Sequence, residues 1–197
     1  RRHFPYEDNQ PGRSGLMHAI NAINADQTIT EVILSGGDPL MMKDTPLIAL
    51  MDALEACAHV STLRIHTRLP VVIPERMTTT LLNKLNASRL QVVLVLHCNH
   101  ANEIDQSVER MLCNFKESAI TVLNQSVLLR GVNDTAERLV ALSRRLFACG
   151  VLPYYLHLLD KTQGTAHFLV EDEVGVALIA QMRAVLPGYL VPRLVRE

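Results

Sequence analysis

The sequence predicts an α/β fold, a partial barrel of parallel strands with its helices outside. Three observations carry this. Short β-branched runs alternate with longer stretches of helical periodicity, as in strand–helix units joined by right-handed crossovers. The apolar material is aliphatic: 48% of the 197 residues are hydrophobic, but only 4% are aromatic and none is Trp. That suits parallel strands buried on both faces. Polar residues also collect at the carboxyl end of almost every strand. An open doubly wound sheet gathers its site at one switch point, whereas a curled sheet brings every strand tip to a common rim.

The elements follow in order. Glu31-Val32-Ile33-Leu34 reads as a strand running into the turn Ser35-Gly36-Gly37-Asp38. Leu47, Leu50, Met51 and Leu54 share one face of a helix. Leu63-Arg64-Ile65 is a second strand, ending in His66, Thr67 and Arg68. Leu81, Leu82 and Leu85 mark the next helix, and the apolar run from Gln91 to Leu96 is a strand that ends in His97, Asn99 and His100. Ile104, Val108, Met111, Leu112 and Phe115 again repeat at helical spacing. Ile120 to Leu123 is a strand followed by Asn124, Gln125 and Ser126. Asn133-Asp134 is the expected cap of a helix carrying Leu139, Leu142 and Leu146, with Gly150 as its stop. Tyr154 to Leu159 is a strand bearing His157 with Asp160 just past its end, and Val174, Leu178 and Met182 lie on the last helix. Five strands are visible, and a sixth is expected before residue 1. Residues 1–197 read as one domain.

Composition excludes several classes. The formal net charge is -1, and no basic stripe suits nucleic acid. No apolar run reaches the ~18–20 residues that cross a bilayer. Arg1-Arg2-His3-Phe4-Pro5-Tyr6 leads into no apolar stretch of the kind a signal peptide needs. A cytoplasmic location is the expectation. Cys57, Cys98, Cys113 and Cys149 form no C-x-x-C pair and read as reduced, mostly buried thiols.

Each polar tip has an ordinary explanation. A strand-end His is more often structural than catalytic, and Gly pairs are common in turns. Asp38 before Pro39 can start a turn. Arg68 can pair with a carboxylate on a neighbouring loop. Convergence on one rim is what favours a shared site. A metal hydrolase is the rival, with His66, His97, His100 and Asp160 as ligands. The three-residue spacing of His97 and His100 leaves their directions undefined, and no acid–base carboxylate stands beside them.

These residues also resemble a known family, the radical-SAM lysine 2,3-aminomutases. The matching blocks are RRHFPY at 1–6, SGGDPL at 35–40, RIHTRLPVVIPER at 64–76 and HCNHANEID at 97–105. NQSVLLRGVND at 124–134, PYYLHLLDKTQGTAHF at 153–168 and GYLVPRLVRE at 188–197 complete the set. The His157-containing block resembles the elongation-factor-P-modifying branch more than the catabolic one. The resemblance implies a radical-SAM barrel that uses S-adenosylmethionine (SAM), a four-iron four-sulfur cluster and pyridoxal phosphate (PLP). The family moves the amino group of L-lysine from C2 to C3, giving β-lysine.

By the same resemblance, Arg1 clamps the substrate carboxylate, and Asp160 and Glu197 face its side-chain ammonium. Gly36, Gly37 and Asp38, with Ser35, match the loop that receives the amino group of SAM. Arg68, His97 and Gln125 are candidate contacts for the SAM carboxylate and ribose. His157 stands where relatives place a tyrosine near PLP. The cluster cysteines are expected upstream of Arg1 and the PLP lysine beyond Glu197. The chain is therefore expected to be a barrel truncated at both ends, a fragment that makes no β-lysine by itself. A SAM- or partner-binding remnant is the alternative. An open barrel also exposes an edge strand, so a homo-oligomer is among the expected states.

Overall fold

The computed structural model describes residues 13–160 and 163–196. Helix α1 (Arg13–Ala25) leads into β1 (Glu31–Leu34), and α2 (Asp44–Glu55) into β2 (Thr62–Thr67). The short α3 (Leu69–Val72) and α4 (Thr79–Ala87) precede β3 (Gln91–His97). Helix α5 (Gln106–Cys113) leads to β4 (Thr121–Val127), α6 (Ala136–Ala148) to β5 (Leu152–His157), and α7 (Asp172–Val185) to β6 (Arg193–Val195).

The six strands form one sheet in the order β1-β2-β3-β4-β5-β6, and every pairing is parallel. The order never reverses, so there is no switch point. Right-handed crossovers that always step the same way put all the helices on one face. The sheet is a partial barrel with β1 and β6 as its two edges. A sixth strand, absent from the sequence reading, lies at Arg193–Val195, and the strand expected before residue 1 falls outside the described residues.

Strand alternation sorts the side chains. Leu63 and Ile65 of β2, Val92, Leu94 and Leu96 of β3 and Val122 of β4 are buried against Leu47, Met51, Leu54, Leu81, Leu112 and Leu146 of the helices. A second cluster joins Leu128, Leu156 and Leu158 to Leu139, Leu178, Ile179 and Met182. Each such Leu contributes roughly 1.5–3 kcal/mol on burial. The intervening residues, Arg64, His66, Val93, Val95, His97, Leu123, Gln125, Tyr155 and His157, line the opposite, inner face.

Polar side chains fix the ends of the helices. Arg89 donates to the carbonyls of Glu55, Val60 and Cys57 at 2.7, 2.8 and 2.7 Å, so one guanidinium closes the C-terminus of α2. Gly150 follows α6 at φ +81° and its N–H donates to Phe147, as expected of a stop glycine. The α6 cap is Thr135, whose hydroxyl accepts from Arg138 N, rather than Asn133-Asp134. Asn133 is buried and bridges loops instead: its amide donates to the carbonyls of Asn99 and Val127, and its oxygen accepts from Leu129 N.

Candidate functional site

The first strand tip is held by Asp38. Its Oδ1 accepts from Leu40 N at 3.0 Å and from the Thr67 hydroxyl at 2.7 Å. Its Oδ2 accepts from Arg68 N at 2.7 Å and Leu69 N at 3.3 Å. Four donors converge on one carboxylate, tying the loop after β1 to the end of β2. The Asp38 side chain therefore shapes the loop, and its lone pairs are engaged within the protein. Gly36 takes φ +106°, a conformation that favours glycine. A Cβ at Gly36 or Gly37 would meet nothing within 4 Å, so open space borders the exposed backbone of Ser35, Gly36 and Gly37.

Behind this loop, Arg76 donates to the carbonyls of Leu40 and Met42 at 2.5 and 2.7 Å and to Asp44 at 2.6 Å. The Thr78 hydroxyl reaches the other Asp44 oxygen at 2.5 Å. These bonds, led by that of Thr78, hold the Asp44 carboxyl below its usual range.

The middle strands split their polar tips by alternation. His97 pairs in register with Gln125, and Gln125 with Tyr155, which in turn pairs with Arg193. These four form one transverse row on the inner face. The His66 ring meets the His97 ring edge-on at 5.9 Å, and Tyr155 meets His157 edge-on at 5.6 Å. A register shift between Asn124 and Gln125 turns Tyr154 to the same side as Tyr155. The two rings stack at 3.7 Å and their hydroxyls bond at 2.9 Å.

The alternate residues do other work. Asn124 and Ser126 are buried on the helix side: Asn124 accepts from Cys98 N and donates to Cys98 O, to which Ser126 also donates. His100 accepts from Asn102 N at 3.1 Å and caps a short turn at Ala101–Glu103. It is thus committed to the loop and does not join His66 and His97. Among the described residues no three His, Cys, Asp or Glu come together to hold a metal.

The Cys98 thiol is pushed up to about 12 by burial and then by the nearby Glu103 charge. A buried neutral thiol is a poor metal ligand. Cys57 and Cys149 are also buried and Cys113 is exposed, so the described cysteines do not fit an iron–sulfur cluster. The described lysines do not fit PLP either. Lys84 pairs with Asp52 and Glu55, Lys116 donates to Ala148 O, and Lys43 stands exposed at the start of α2. The loop beside Gly36 and Gly37 and the polar inner row do fit SAM: open backbone for an amino group, and cationic and hydrogen-bonding side chains nearby.

Ser35, Gly36, Gly37, Asp38 and Arg68 are therefore gathered at the tips of β1 and β2. His97, Gln125 and His157 line the inner face of β3 to β5. Asp160 is exposed beyond the end of β5. Arg1 and Glu197 lie outside the described residues. Sequence reasoning passed over Tyr155, which a strict two-residue alternation from His157 places on the same face. It also passed over Glu103, which a capping-box spacing from His100 would have marked.

No model of a known protein family matches the chain. Its sequence is 48% identical to the L-lysine 2,3-aminomutase of Escherichia coli K12 over all 197 residues, which cover 58% of that relative. It is 50% identical to that of Haemophilus influenzae, with the same coverage of both chains. Against that of Clostridium subterminale it is 35% identical over 99% of this chain and 47% of the relative. The chain thus spans about 58% of the length of the first two relatives. Its fold is like that of SuiB from Streptococcus suis bound to S-adenosylmethionine: TM-score 0.67, 12% identity, 96% of this chain and 45% of the other. It is also like a radical SAM methyltransferase from Sphaerobacter thermophilus, at TM-score 0.62 and 15% identity over 93% of this chain and 56% of the other. The chain is thus similar over its whole length to curated L-lysine 2,3-aminomutases, of which it spans little more than half, and its fold is that of SuiB and the radical SAM methyltransferase.

Proposed function

We propose that the chain forms the SAM-binding barrel of an enzyme that isomerises L-lysine to β-lysine. The observation that carries this is the joined pair of features at the strand tips. A glycine loop anchored by Asp38 opens beside Arg68, and the inner row continues through His97 and Gln125. The backbone at Gly36 and Gly37 would receive the amino group of SAM. Arg68 would take its carboxylate, and His97 and Gln125 its ribose. Asp160, with Glu197, would hold the ammonium of lysine, and Arg1 its carboxylate. Two acids facing one cation select a diamino acid over a neutral one. His157 would stand beside PLP. When bound, SAM, the cluster and PLP supply the radical and amino-transfer chemistry, while the barrel orients the reactants and excludes water.

The four cysteines lack the C-x-x-x-C-x-x-C spacing of a cluster site. The 197 residues alone are therefore expected to bind SAM and to make no β-lysine. The decisive experiment takes the full reading frame, reconstitutes it with iron and sulfide, and supplies SAM, PLP, a reductant and L-lysine. β-Lysine is the expected product. A protein that carries all three groups and leaves lysine unchanged would falsify the reading.

The same cysteine observation favours one other reading, a SAM- or partner-binding chain without the chemistry. Cysteine codons directly upstream in the same frame argue for the enzyme, and a stop codon there argues for the binder. Within the enzyme reading, the His157-containing block at 153–168 supports the elongation-factor-P branch. Loss of a β-lysyl mass from that factor in a deletion strain is the test.

A further inference from the structure

Glu103 sits in the short turn Ala101–Glu103 after β3 and divides its two carboxylate oxygens between different tasks. Oε1 accepts from the backbone N–H groups of Asn99 and His100 at 2.7 and 2.9 Å, closing the loop on itself. Oε2 accepts from Arg68 Nη2 at 3.1 Å, across to the neighbouring strand tip. The Glu103 side chain is 24% exposed and that of Arg68 53%. The carboxylate is thus the sheltered partner, and the guanidinium reaches outward from it.

Arg68 is held at both ends. Its backbone N–H is fixed by Asp38, and one terminal nitrogen by Glu103. Its Nε and Nη1 have no hydrogen bond among the described residues, which leaves donors for an anionic ligand. The Glu103 loop is itself anchored: Asn99 Oδ1 accepts from Val127 N at 2.8 Å, and Asn133 bonds Asn99 O at 2.9 Å. The buried Asn133 thus makes the tip of β4 a fixed support for the loop that aims Arg68. An isolated ion pair this exposed contributes little to stability. An anchored acceptor can still restrict a long side chain to one orientation, which lowers the cost of ordering it when a ligand binds.

We propose that Glu103 is a positioning residue that aims the Arg68 guanidinium at the carboxylate of SAM. The proposal rests on the SAM-binding reading above and adds to it the residue that sets the direction of the contact.

The test measures binding of two ligands to the full chain by calorimetry or NMR titration. SAM carries the carboxylate, and 5′-methylthioadenosine shares the nucleoside but lacks it. Glu103→Gln keeps an oxygen to cap the loop but gives up the charge that holds Arg68. It is expected to weaken SAM binding roughly fivefold, the upper end of what one exposed pair supplies, and to leave methylthioadenosine binding unchanged. In an Arg68→Ala background the same substitution should have no effect on either ligand. Glu103→Ala, which removes the loop cap as well, should weaken both ligands, and its melting temperature reports the structural part.

Equal loss of both ligands in Glu103→Gln, or an undiminished effect without Arg68, means that Glu103 only supports the loop and overturns the proposal. Parent-like SAM binding by Glu103→Gln overturns it too, while leaving the SAM reading intact. A parent chain that binds neither ligand overturns that reading, and the proposal with it.

Discussion

The Thr67 hydroxyl donates to Asp38 at 2.7 Å across a separation of 29 residues, joining the last residue of β2 to the turn after β1. Thr67 is fully buried, so this hydroxyl must find its acceptor inside the protein. With Leu40 N, Arg68 N and Leu69 N on the same carboxylate, the bond sets the shape of the glycine loop.

Asp38→Asn tests that arrangement. One oxygen remains for Thr67 and Leu40, but the amide nitrogen then faces the N–H groups of Arg68 and Leu69, donor against donor. The expected loss is about 2 kcal/mol of stability, because hydrogen bonds to a charged group are lost and donor is set against donor. Thr67→Val should cost about 1 kcal/mol. Urea denaturation checks both, and a parent-like midpoint for Asp38→Asn would show that the carboxylate does not organise the loop.

Asp44 provides a pH-dependent test. Its bonds to Thr78 and Arg76 hold its carboxyl below the ordinary value of 3.8. A carboxyl depressed in the folded state contributes stability above its unfolded value and loses it as pH falls through the folded value. Asp44→Asn should therefore be less stable than the parent by about 1–2 kcal/mol near neutral pH. The gap should narrow as pH falls below about 4. Paired urea melts at neutral and acid pH measure it. A gap that stays constant into acid would remove the ionised carboxylate from the account.

Much of this was legible in the sequence, and the exceptions have physical causes. The strand–helix order follows from periodicity, and the curled sheet from polar residues at every tip. The sixth strand escaped because Arg193–Val195 is only three residues long and follows Pro192, too short for any period to register. Polar tips could be counted but not sorted. Gln125 faces the inner side while its neighbours Asn124 and Ser126 serve buried bonds to Cys98. Asn133 looked like a helix cap and instead bridges the β3 and β4 loops. The inward turn of both Tyr154 and Tyr155 depends on a register shift against β4, which is a property of two strands and not of either alone.

The thiols give a chemical readout of the same burial. Cys113 is exposed, whereas Cys57, Cys98 and Cys149 are buried. Burial pushes the Cys98 thiol up to about 12, and it raises that of Cys149 as well. Only thiolate reacts with iodoacetamide, so both accessibility and protonation protect these sites. Native protein at mildly alkaline pH should take up label at Cys113 alone, and unfolded protein at all four cysteines. Peptide mass spectrometry decides. Rapid native labelling of Cys98 would contradict its place beneath the helix layer.

Gly36 and Gly37 separate loop conformation from ligand approach. Gly36 takes φ +106°, so an added Cβ is strained even though it meets nothing within 4 Å. Gly36→Ala should cost about 1–2 kcal/mol, the usual penalty for a side chain in that region. Gly37 has no positive φ, and its Cβ also enters open space. Gly37→Ala should therefore leave stability within about 0.5 kcal/mol of the parent. If that open space is where SAM lies against the backbone, Gly37→Ala fills it and weakens SAM binding despite an unchanged fold. Thermal melts report the first effect and SAM titration the second. A Gly37→Ala protein that melts and binds SAM like the parent would show that the glycine loop does not contact the ligand.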